Sequence, residues 1–548
     1  MNRKYLNSQT SLVVFSILLF HLSTLRGQQI DWSAPYEMRS IFNENKLIQY
    51  SPKGFYWMHK YKDEQYYFRR KVAYYTPILE QKKSGENLNL YYDKLKGTYQ
   101  FSLSIDDTPH LCYSINDKEN KKESIFADPL NQNTLAVHKT PILLFELAYK
   151  DKIHDLEGYR YCYSQDASKC LIYGKMPYKR QEKGQLALFV GNKKLERLAF
   201  GVAKVQQKAK QLALSDLVDA VVDNQGNAYL LCKLYKSKDK KEEKKKGTRF
   251  VYTLIRMDHT ATVQVLDTLK VLAPMDSAIV VSAKLSVNNK TGAISCLGTY
   301  KIADKENGLF KFDLGQNEWK AAKIIQYPNA ILEKAKKSPK KIQKKKELGF
   351  QNYKIKTIWE QADGTQLVFA EQHYIKVYWD KLEGRQELHQ INDILVAKLA
   401  ENDTILWARI IPKRQKGGGD GYTNVPDQFY SFGAFKKKEV IHILYNDLEE
   451  NLTIDKDKER KVLHCNQPQN CSLIDCQLDA RSGEVIGQKS LLQLKKDKIV
   501  VYPKKIRLLK DDKVLIMGIK PQYGAKGRSY FHFGCWEMEE KKDNKDNN

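Results

Sequence analysis

The chain has 548 residues, of which 92 are Lys or Arg and 65 are Asp or Glu, so its formal net charge is +27. Hydrophobic residues make up 42% of it and aromatic residues 11%, with 33 tyrosines. This composition excludes a polytopic membrane protein, a collagen-like chain and a wholly disordered chain. It leaves room for one large domain or several smaller ones, and it specifies no activity.

The first 27 residues have the pattern of a secretory signal peptide. Arg3 and Lys4 form a positively charged start, and an apolar run, 12–22, follows. That run is too short to span a bilayer, and small residues lead to a predicted cleavage site near Gly27; an uncleaved anchor or a buried helix is the alternative. We therefore expect residues 28–548 to be exported to the periplasm, the cell surface or the medium. No later segment reaches about 18 apolar residues, so no transmembrane helix is predicted.

Two lysine-rich tracts carry much of the positive charge. Residues 236–246 hold seven lysines against three acidic residues, and residues 334–347 hold eight against one. Both have too few apolar residues to join a core, and neither interleaves the aromatic residues on which bases stack. The sequence therefore favours solvated loops between strands and predicts no nucleic-acid partner. Weak attraction to an anionic lipid or polysaccharide surface of the cell envelope stays open.

The chain has nine cysteines, an odd number that leaves at least one unpaired in an exported protein. Cys162 and Cys170 are close enough in sequence to bridge one hairpin. Cys465 and Cys471, in the segment HCNQPQNCSLIDC, form the other predicted disulfide. A zinc site at this segment is the alternative, but its cysteine spacing is not that of a CxxC site. The sequence thus predicts disulfides here, and neither a metal nor a cofactor.

Short apolar runs rich in Val, Ile, Tyr and Phe, bounded by Gly, Asp, Asn or Lys, predict strands almost throughout. Only 195–217 also fits a helical period. One unit, a polar turn that enters an apolar strand, recurs at spacings of 52 to 74 residues. These eight units begin at Gly54, Asp106, Asp166, Gly226, Gly292, Gly364, Lys437 and Asp511.

A second unit, strand–turn–strand, follows several of the first. Its clearest examples are residues 187–200, 253–266, 395–411 and 473–492. Together the two units give about four strands per repeat, which is the content of one β-propeller blade. The sequence therefore predicts an all-β propeller of six to eight blades, seven favoured, over residues 28–540, with a disordered polar tail at 541–548. Tandem β-sandwiches are the alternative, since regular short strands fit those too.

The passage 392–415, NDILVAKLAENDTILWARIIPKRQ, carries a resemblance to a known group. A Gly-rich loop, the strand FYSFGAF and a strand that ends in Tyr-Asn-Asp at 445–447 follow it. This order is similar to that of uncharacterised secreted propeller-like proteins of Bacteroidetes bacteria, although Asn402–Asp403 stands where Asp-Gly is usual. The resemblance implies a fold and an exported location, not an activity.

The Gly-rich loop at 417–422 is the place where the sequence suggests ligand binding. Glycines let the backbone approach a ligand closely, and loops on a rigid β scaffold commonly carry binding residues. Lys413 and Arg414 could meet a carboxylate or sulfate, and Tyr422 or Tyr430 could stack on a sugar. With Asp420 they form the predicted ligand-binding set; a plain connection between blades is the alternative.

No catalytic motif stands out in the sequence. It has no Gly-x-Ser-x-Gly elbow, no HExxH and no phosphate-binding loop, and no carboxylate pair is marked by its spacing. We therefore predict no catalytic residues and favour an exported binding or scaffold protein, monomeric, whose partner is a protein or an anionic polysaccharide. The alternative is a glycan lyase or hydrolase with its site on one face of the propeller.

Overall fold

The computed structural model describes residues 30–538 with interruptions. The gaps are 34–35, 39–45, 52–53, 63–67, 77–78, 86–87, 89, 93–94, 139, 150–157, 177–184, 205–211, 237–249, 270–277, 303–305, 316–319, 321, 329–351, 381–383, 418–429, 455–459, 465–470, 494–496, 498, 510–512 and 521–528. The predicted signal peptide, most of the first lysine-rich tract, the whole second tract and the polar tail therefore lie outside the described residues.

Eight antiparallel sheets form the blades of a β-propeller. Their strands are numbered along the chain, and in each blade the chain runs from the innermost strand outwards. The innermost strands of several neighbouring blades contact one another around the central channel. These strands are β3 (Lys46–Ser51), β9 (Thr98–Ile105), β13 (Arg160–Tyr163), β17 (Leu212–Val222), β21 (Ala278–Asn288), β25 (Tyr353–Glu360), β30 (Phe432–Lys437), and β35 (Val500–Val501) with β36 (Arg507–Leu508) in the eighth blade.

The middle and outer strands complete each blade. The second strands are β4 (Gly54–Lys62), β10 (Thr108–Asp117), β14 (Lys169–Lys175), β18 (Ala228–Lys236), β22 (Ala293–Ile302), β26 (Gln366–Asp380), β31 (Val440–Leu448) and β37 (Lys513–Lys520). The third strands are β5 (Phe68–Tyr75), β11 (Lys122–Pro129), β15 (Gln185–Asn192), β19 (Phe250–Met257), β23 (Glu306–Asp313), β27 (Gly384–Leu399), β33 (Cys471–Asp479) and β38 (Ser529–Glu537). The outer strands are β6 (Gln81–Ser84), β12 (Ile142–Ala148), β16 (Arg197–Lys204), β20 (Val263–Leu269), β24 (Lys323–Ile325), β28 (Ile405–Ile411), β34 (Val485–Gln493), and β1 (Ile30–Trp32) with β2 (Tyr36–Met38).

A few short elements lie beside the blades. They are the strands β7 (Tyr91–Tyr92), β8 (Leu95–Lys96), β29 (Gln415–Gly417) and β32 (Leu463–His464), and two 3₁₀ helices, Glu449–Leu452 and Pro503–Lys505. In the part of the chain with described structure, no helix is long and apolar enough to cross a membrane.

The propeller predicted from the repeats is confirmed. Every one of the eight recurring units enters the second strand of a different blade, and each strand–turn–strand unit is the outer hairpin of a blade. The ring has eight blades, which is within the predicted range and one more than the favoured number. Of the segment 195–217, which also fitted a helical period, residues 197–204 form β16 and residues 212–217 belong to β17, while 205–211 lie outside the described residues.

The ring closes by joining the two ends of the chain. β1 pairs antiparallel with β38, so Ile30 lies opposite Trp536 and Trp32 opposite Gly534. Ser33 continues the contact, because its backbone N–H donates to the carbonyl of Phe533 at 2.8 Å. The eighth blade thus takes its innermost, second and third strands from the C-terminal end of the chain and its outer strands from the N-terminal end.

The core is divided among the interfaces between blades. Eight apolar clusters each join two neighbouring blades, and one of them joins the eighth blade to the first. In that cluster the ring centroids of Phe55 and Trp57 each lie 4.9 Å from that of Phe533. Because each sheet packs on both faces, its middle strands contain long buried runs; residues 186–190 are all fully buried.

Short polar turns set the hairpins. In several of them the side-chain oxygen of an Asp or Asn accepts a hydrogen bond from the backbone N–H two residues later. Asp223, for example, accepts from the N–H of Gln225 at 3.0 Å. The turn at Asn402–Asp403 follows this pattern with Asn402. Asp403 stands where glycine is usual because its buried carboxylate pairs with Lys311 and, at 2.6 Å, with Lys323 of the fifth blade.

Candidate functional site

The structure places two of the predicted ligand residues in the interior. Lys413 is 0% exposed, and its ammonium lies 2.8 Å from the Glu371 carboxylate and donates to Gln415 Oε1 at 2.8 Å. Tyr430 is buried against Gly417, where a Cβ would lie 1.1 Å from the Tyr430 hydroxyl oxygen. Glycine at 417 thus makes room for this ring. In this conformation neither Lys413 nor Tyr430 meets solvent.

The other predicted ligand residues are Arg414, Asp420 and Tyr422. Arg414 is half-buried, and its backbone carbonyl accepts the N–H of Leu463 at 2.9 Å. Asp420 and Tyr422 lie outside the described residues. Ligand binding by Arg414 and this loop stays a prediction.

Lys413 belongs to an ion network between the sixth and seventh blades. The Glu371 carboxylate also lies 3.1 Å from Lys356 Nζ and accepts a hydrogen bond from the Ser431 hydroxyl at 2.6 Å. Burial by itself would raise the pKa of Glu371. The nearby positive charges of Lys413 and Lys356 outweigh this effect and lower the pKa of Glu371 to about 2. The carboxylate is therefore charged at neutral pH, and the network joins the two blades.

Of the two predicted disulfides, one is contradicted by the structure and the other lies partly outside the described residues. Cys162 lies opposite Leu171 in the strand pair and packs towards the fourth blade, whereas Cys170 packs towards the second blade. Both are free thiols, so the predicted Cys162–Cys170 bridge is not formed, because the two side chains lie on opposite faces of one sheet. Cys471 is buried and Cys465 lies outside the described residues, so the Cys465–Cys471 disulfide stays a prediction. No cluster of three or more His, Cys, Asp or Glu that could hold a metal occurs within the described ranges.

A cavity of about 540 Å³ opens at one mouth of the central channel. The innermost strands of the third to seventh blades end here, so five blades contribute to it. We call it the channel-mouth cavity. Its lining residues are Tyr163, Gln165, Val221, Val222, Leu285, Ser286, Val287, Asn289, Ile358, Trp359, Glu360, Gln361 and Lys436.

Hydrogen bonds between blades hold the polar groups of this cavity. Glu360 accepts from the Ser286 hydroxyl of the fifth blade and from Gln366 Nε2 at 2.6 Å. The Asn289 amide donates to Gln165 Oε1 at 2.8 Å and accepts the backbone N–H of Asn224 at 3.1 Å. These contacts span the third to sixth blades and preorganise the rim of the cavity.

One ammonium and two aromatic rings complete the lining. Lys436 Nζ lies 3.4 Å from Gln361 Oε1 and 3.5 Å from a Glu439 carboxylate oxygen. Trp359 packs on Phe369 with ring centroids 4.3 Å apart. The Tyr163 hydroxyl is held by the backbone of Ser104, from which it accepts at 3.0 Å and to which it donates at 3.2 Å. Burial raises the pKa of this phenol far above its usual value, so it stays neutral.

The sequence contains a positional signal for these residues that is independent of any catalytic motif. Gln165, Asn224, Asn289 and Gln361 each lie one to three residues before the start of a recurring unit. Since each unit begins where an innermost strand turns back, equivalent positions before the turns meet at the same end of the channel. Aligning the repeats would have grouped these polar residues without any catalytic motif.

No known protein family matches the sequence, and no curated protein matches it either. Several solved structures are similar in fold. Puromycin hydrolase has a TM-score of 0.36 and 9% identity over 90% of this chain and 61% of its own. Prolyl oligopeptidase B from Galerina marginata has a TM-score of 0.34 and 9% identity over 90% of this chain and 55% of its own. Polysaccharide lyase Uly1 has a TM-score of 0.35 and 8% identity over 93% of this chain and 100% of its own.

The chain thus spans little more than half the length of the first two of these proteins. At such low identity the likeness is one of fold alone, and it leaves the activity of this chain to be argued from its own residues.

Proposed function

We propose that this protein binds an acidic oligosaccharide in the channel-mouth cavity. One observation carries the proposal: the lining brings two aromatic rings, Trp359 and Tyr163, together with amide groups and the Lys436 ammonium. The role is that of an exported binding protein.

The size and composition of the cavity support a small organic ligand. Its volume of about 540 Å³ falls within the roughly 300–1,000 Å³ of typical ligand sites. Such sites combine apolar walls with a few well-placed polar groups that fix orientation. Here Val221 and Leu285 supply apolar surface, while Asn289 and Gln361 supply amides. A sugar ring, with apolar C–H faces and a rim of hydroxyls, matches this mixture.

The charge of the innermost strands supports an acidic ligand. These strands carry more cationic than acidic residues, and a cleft lined by one sign of charge concentrates ions of the other. Their cationic residues are Lys46, Arg160, Lys284, Lys354, Lys356, Lys436, Lys437 and Arg507. Their acidic residues are Asp216, Asp219 and Glu360. Lys436 is the ammonium that lines the cavity itself.

The lining supports binding more than hydrolysis. Among its described residues Glu360 is the single carboxylate, and Ser286 and Gln366 already donate to it. Glycoside hydrolysis by the usual route needs a pair of carboxyl groups about 5–10 Å apart. The described part of this site supplies one carboxyl group, so we favour binding over catalysis.

Location is part of the proposal. The signal-peptide pattern of residues 1–27 supports action outside the cytoplasm, in the periplasm, at the cell surface or in the medium. The resemblance to exported Bacteroidetes propellers supports the same location. A positively charged exported protein would meet acidic polysaccharides there.

Titration calorimetry tests the proposal. The mature chain, residues 28–548, is titrated with hexagalacturonate, and with maltohexaose as an uncharged probe. We expect saturable binding of the acidic probe, weakened about tenfold by Lys436→Gln, or about 1.4 kcal/mol. Lys204→Gln, on an outer strand, makes the same charge change away from the cavity and should have no such effect.

Three results would contradict the proposal. They are no saturable binding of the acidic probe, equal binding of the uncharged probe, and equal weakening by Lys436→Gln and Lys204→Gln. Shortening of the hexamer during the titration would contradict a purely binding role and would favour the glycan-active enzyme.

A further inference from the structure

A second cavity lies beside the channel-mouth cavity, at the interface of the second and third blades. Its volume is about 330 Å³. The turn after β9 and two turns of the third blade surround it, so it opens on the same end of the ring. Its polar lining includes Ser104, Asp106, Ser168, Lys169, Asn192 and Lys193. We call it the side cavity.

Tyr163 lines both cavities. Its hydroxyl is bound on the side-cavity side by the backbone N–H and carbonyl of Ser104, at 3.0 and 3.2 Å. These two contacts fix the ring at the boundary between the cavities. Tyr163 is therefore the described side chain that the linings of the two cavities share.

We propose that the two cavities are subsites of one groove, and that the natural ligand is an oligosaccharide chain long enough to occupy both while crossing Tyr163. This inference rests on the proposed function and specifies its ligand: a polymer segment, not a monosaccharide or disaccharide. The channel-mouth cavity holds one part of the chain through Trp359 and Lys436, and the side cavity holds another through its lysines and Asn192.

The chemistry of the side cavity fits a second stretch of an acidic sugar chain. Lys169 and Lys193 can meet carboxylates, the Asp106 and Asp107 carboxylates can accept hydrogen bonds from hydroxyls, and the Asn192 amide can donate one. Asp166 and Asn192 accept backbone N–H groups of their own turns, at 2.9 and 2.8 Å, which keeps the surrounding turns in place. The site is therefore preformed and does not need to be ordered by the ligand.

A two-subsite groove has a measurable consequence. Once one end of a chain is bound, the other end meets the second subsite at a high effective concentration, and most of the entropic cost of association is already met. Affinity should therefore rise with chain length until both subsites are filled, and then level off. A single subsite gives affinities that level off at the shortest chain that fills it.

The experiment is a calorimetric length series on the mature protein with galacturonate oligomers of two to eight units. We expect affinity to rise at least tenfold from the dimer to the hexamer and then to level off. Ser104→Trp, which fills the side cavity, should remove the rise. Ser84→Trp, on the exposed outer strand of the first blade, is the matched control and should retain the rise.

A second variant protects the test against misfolding of Ser104→Trp. Lys193 is exposed, so Lys193→Glu should fold, and it should weaken the hexamer at least fivefold but the dimer less than twofold. Affinity independent of length in the wild type, or an unchanged length series in both side-cavity variants, would overturn the inference while leaving the proposed function intact. Absence of binding at every length would overturn the proposed function, and this inference with it.

Discussion

Two polar regions of the ring differ in what surrounds their charges. In the network between the sixth and seventh blades, Lys413 and Glu371 are both fully buried and meet protein groups at 2.6–3.1 Å. At the channel mouth, Lys436 is only partly buried, and its contacts to Gln361 and Glu439 are 3.4 and 3.5 Å long. The first region has its charges satisfied within the protein, whereas the second keeps an ammonium available to a ligand.

The difference shows that residue type does not by itself reveal function. A lysine beside a Gly-rich loop looked like an anion-binding group, yet its partner is a carboxylate from another strand of the same blade. Burying an ion pair is costly, so such a pair is kept only where further hydrogen bonds support it, as Ser431 and Gln415 do here. The network is structural, and the open lining of the channel mouth is the place for ligand chemistry.

Breaking the buried network should have the largest effect. Glu371→Gln leaves Lys413 buried without its counter-charge, so we expect a loss of about 3–5 kcal/mol in the free energy of unfolding. Denaturant titration measures this loss. Glu146→Gln removes an exposed partner, 2.9 Å from Lys122, and should cost under about 1 kcal/mol. Equal losses in the two variants would contradict a structural role for the network.

A buried carboxyl without a counter-ion should behave in the opposite sense. Glu123 is buried between the second and third blades, where burial raises its pKa to about 7 although the Tyr159 hydroxyl donates to it at 3.1 Å. Because the folded state holds this proton more tightly than the unfolded state, stability should fall as pH rises from about 4.5 to about 7. For Glu371, with a pKa of about 2, stability should instead be lost as pH falls from about 4.5 towards 2.

The measurement is thermal unfolding of Glu123→Gln and wild type against pH. At pH 8 the variant should be more stable by roughly 1–3 kcal/mol, because it no longer carries a buried charge, and at pH 4 the two should nearly coincide. A variant that is less stable than wild type at pH 8 would show that the ionised carboxylate is stabilised in the fold.

The smallest expected effect concerns Glu360 in the channel-mouth cavity. Glu360→Gln removes a negative charge near an acidic ligand, so binding of hexagalacturonate should strengthen two- to threefold, or about 0.5 kcal/mol. The unfolding free energy should change little, because Gln can still accept from Ser286. Calorimetry with both oligomers measures the effect, and weakened binding would show that Glu360 contacts the ligand directly.

Much of the fold was predictable, since each recurring unit enters one blade. The repeats did not show how the ring closes, because the eighth blade is completed by β1, whose partner β38 lies at the other end of the chain. No local sequence pattern predicts a pairing between segments so far apart along the chain. The three-residue strand Ile30–Trp32 is also too short to show a period of its own.

The candidate site was predicted less well, for a reason of packing. Whether Lys413 faces solvent depends on Glu371, which pairs with it, and on Ser431, which donates to Glu371. Both contacts form only in the folded ring. Likewise Cys162 and Cys170 are near in sequence but project from opposite faces of their sheet. Spacing along the chain predicted contacts that strand alternation and blade packing do not allow.

The most direct test of the binding site is a crystal structure of the mature protein with hexagalacturonate. Our account predicts the oligosaccharide in the channel-mouth cavity, with a carboxylate against Lys436 and a sugar ring on Trp359, and the chain crossing Tyr163 into the side cavity. An oligosaccharide bound elsewhere on the ring, or bound by Lys413 after the network has opened, would contradict it.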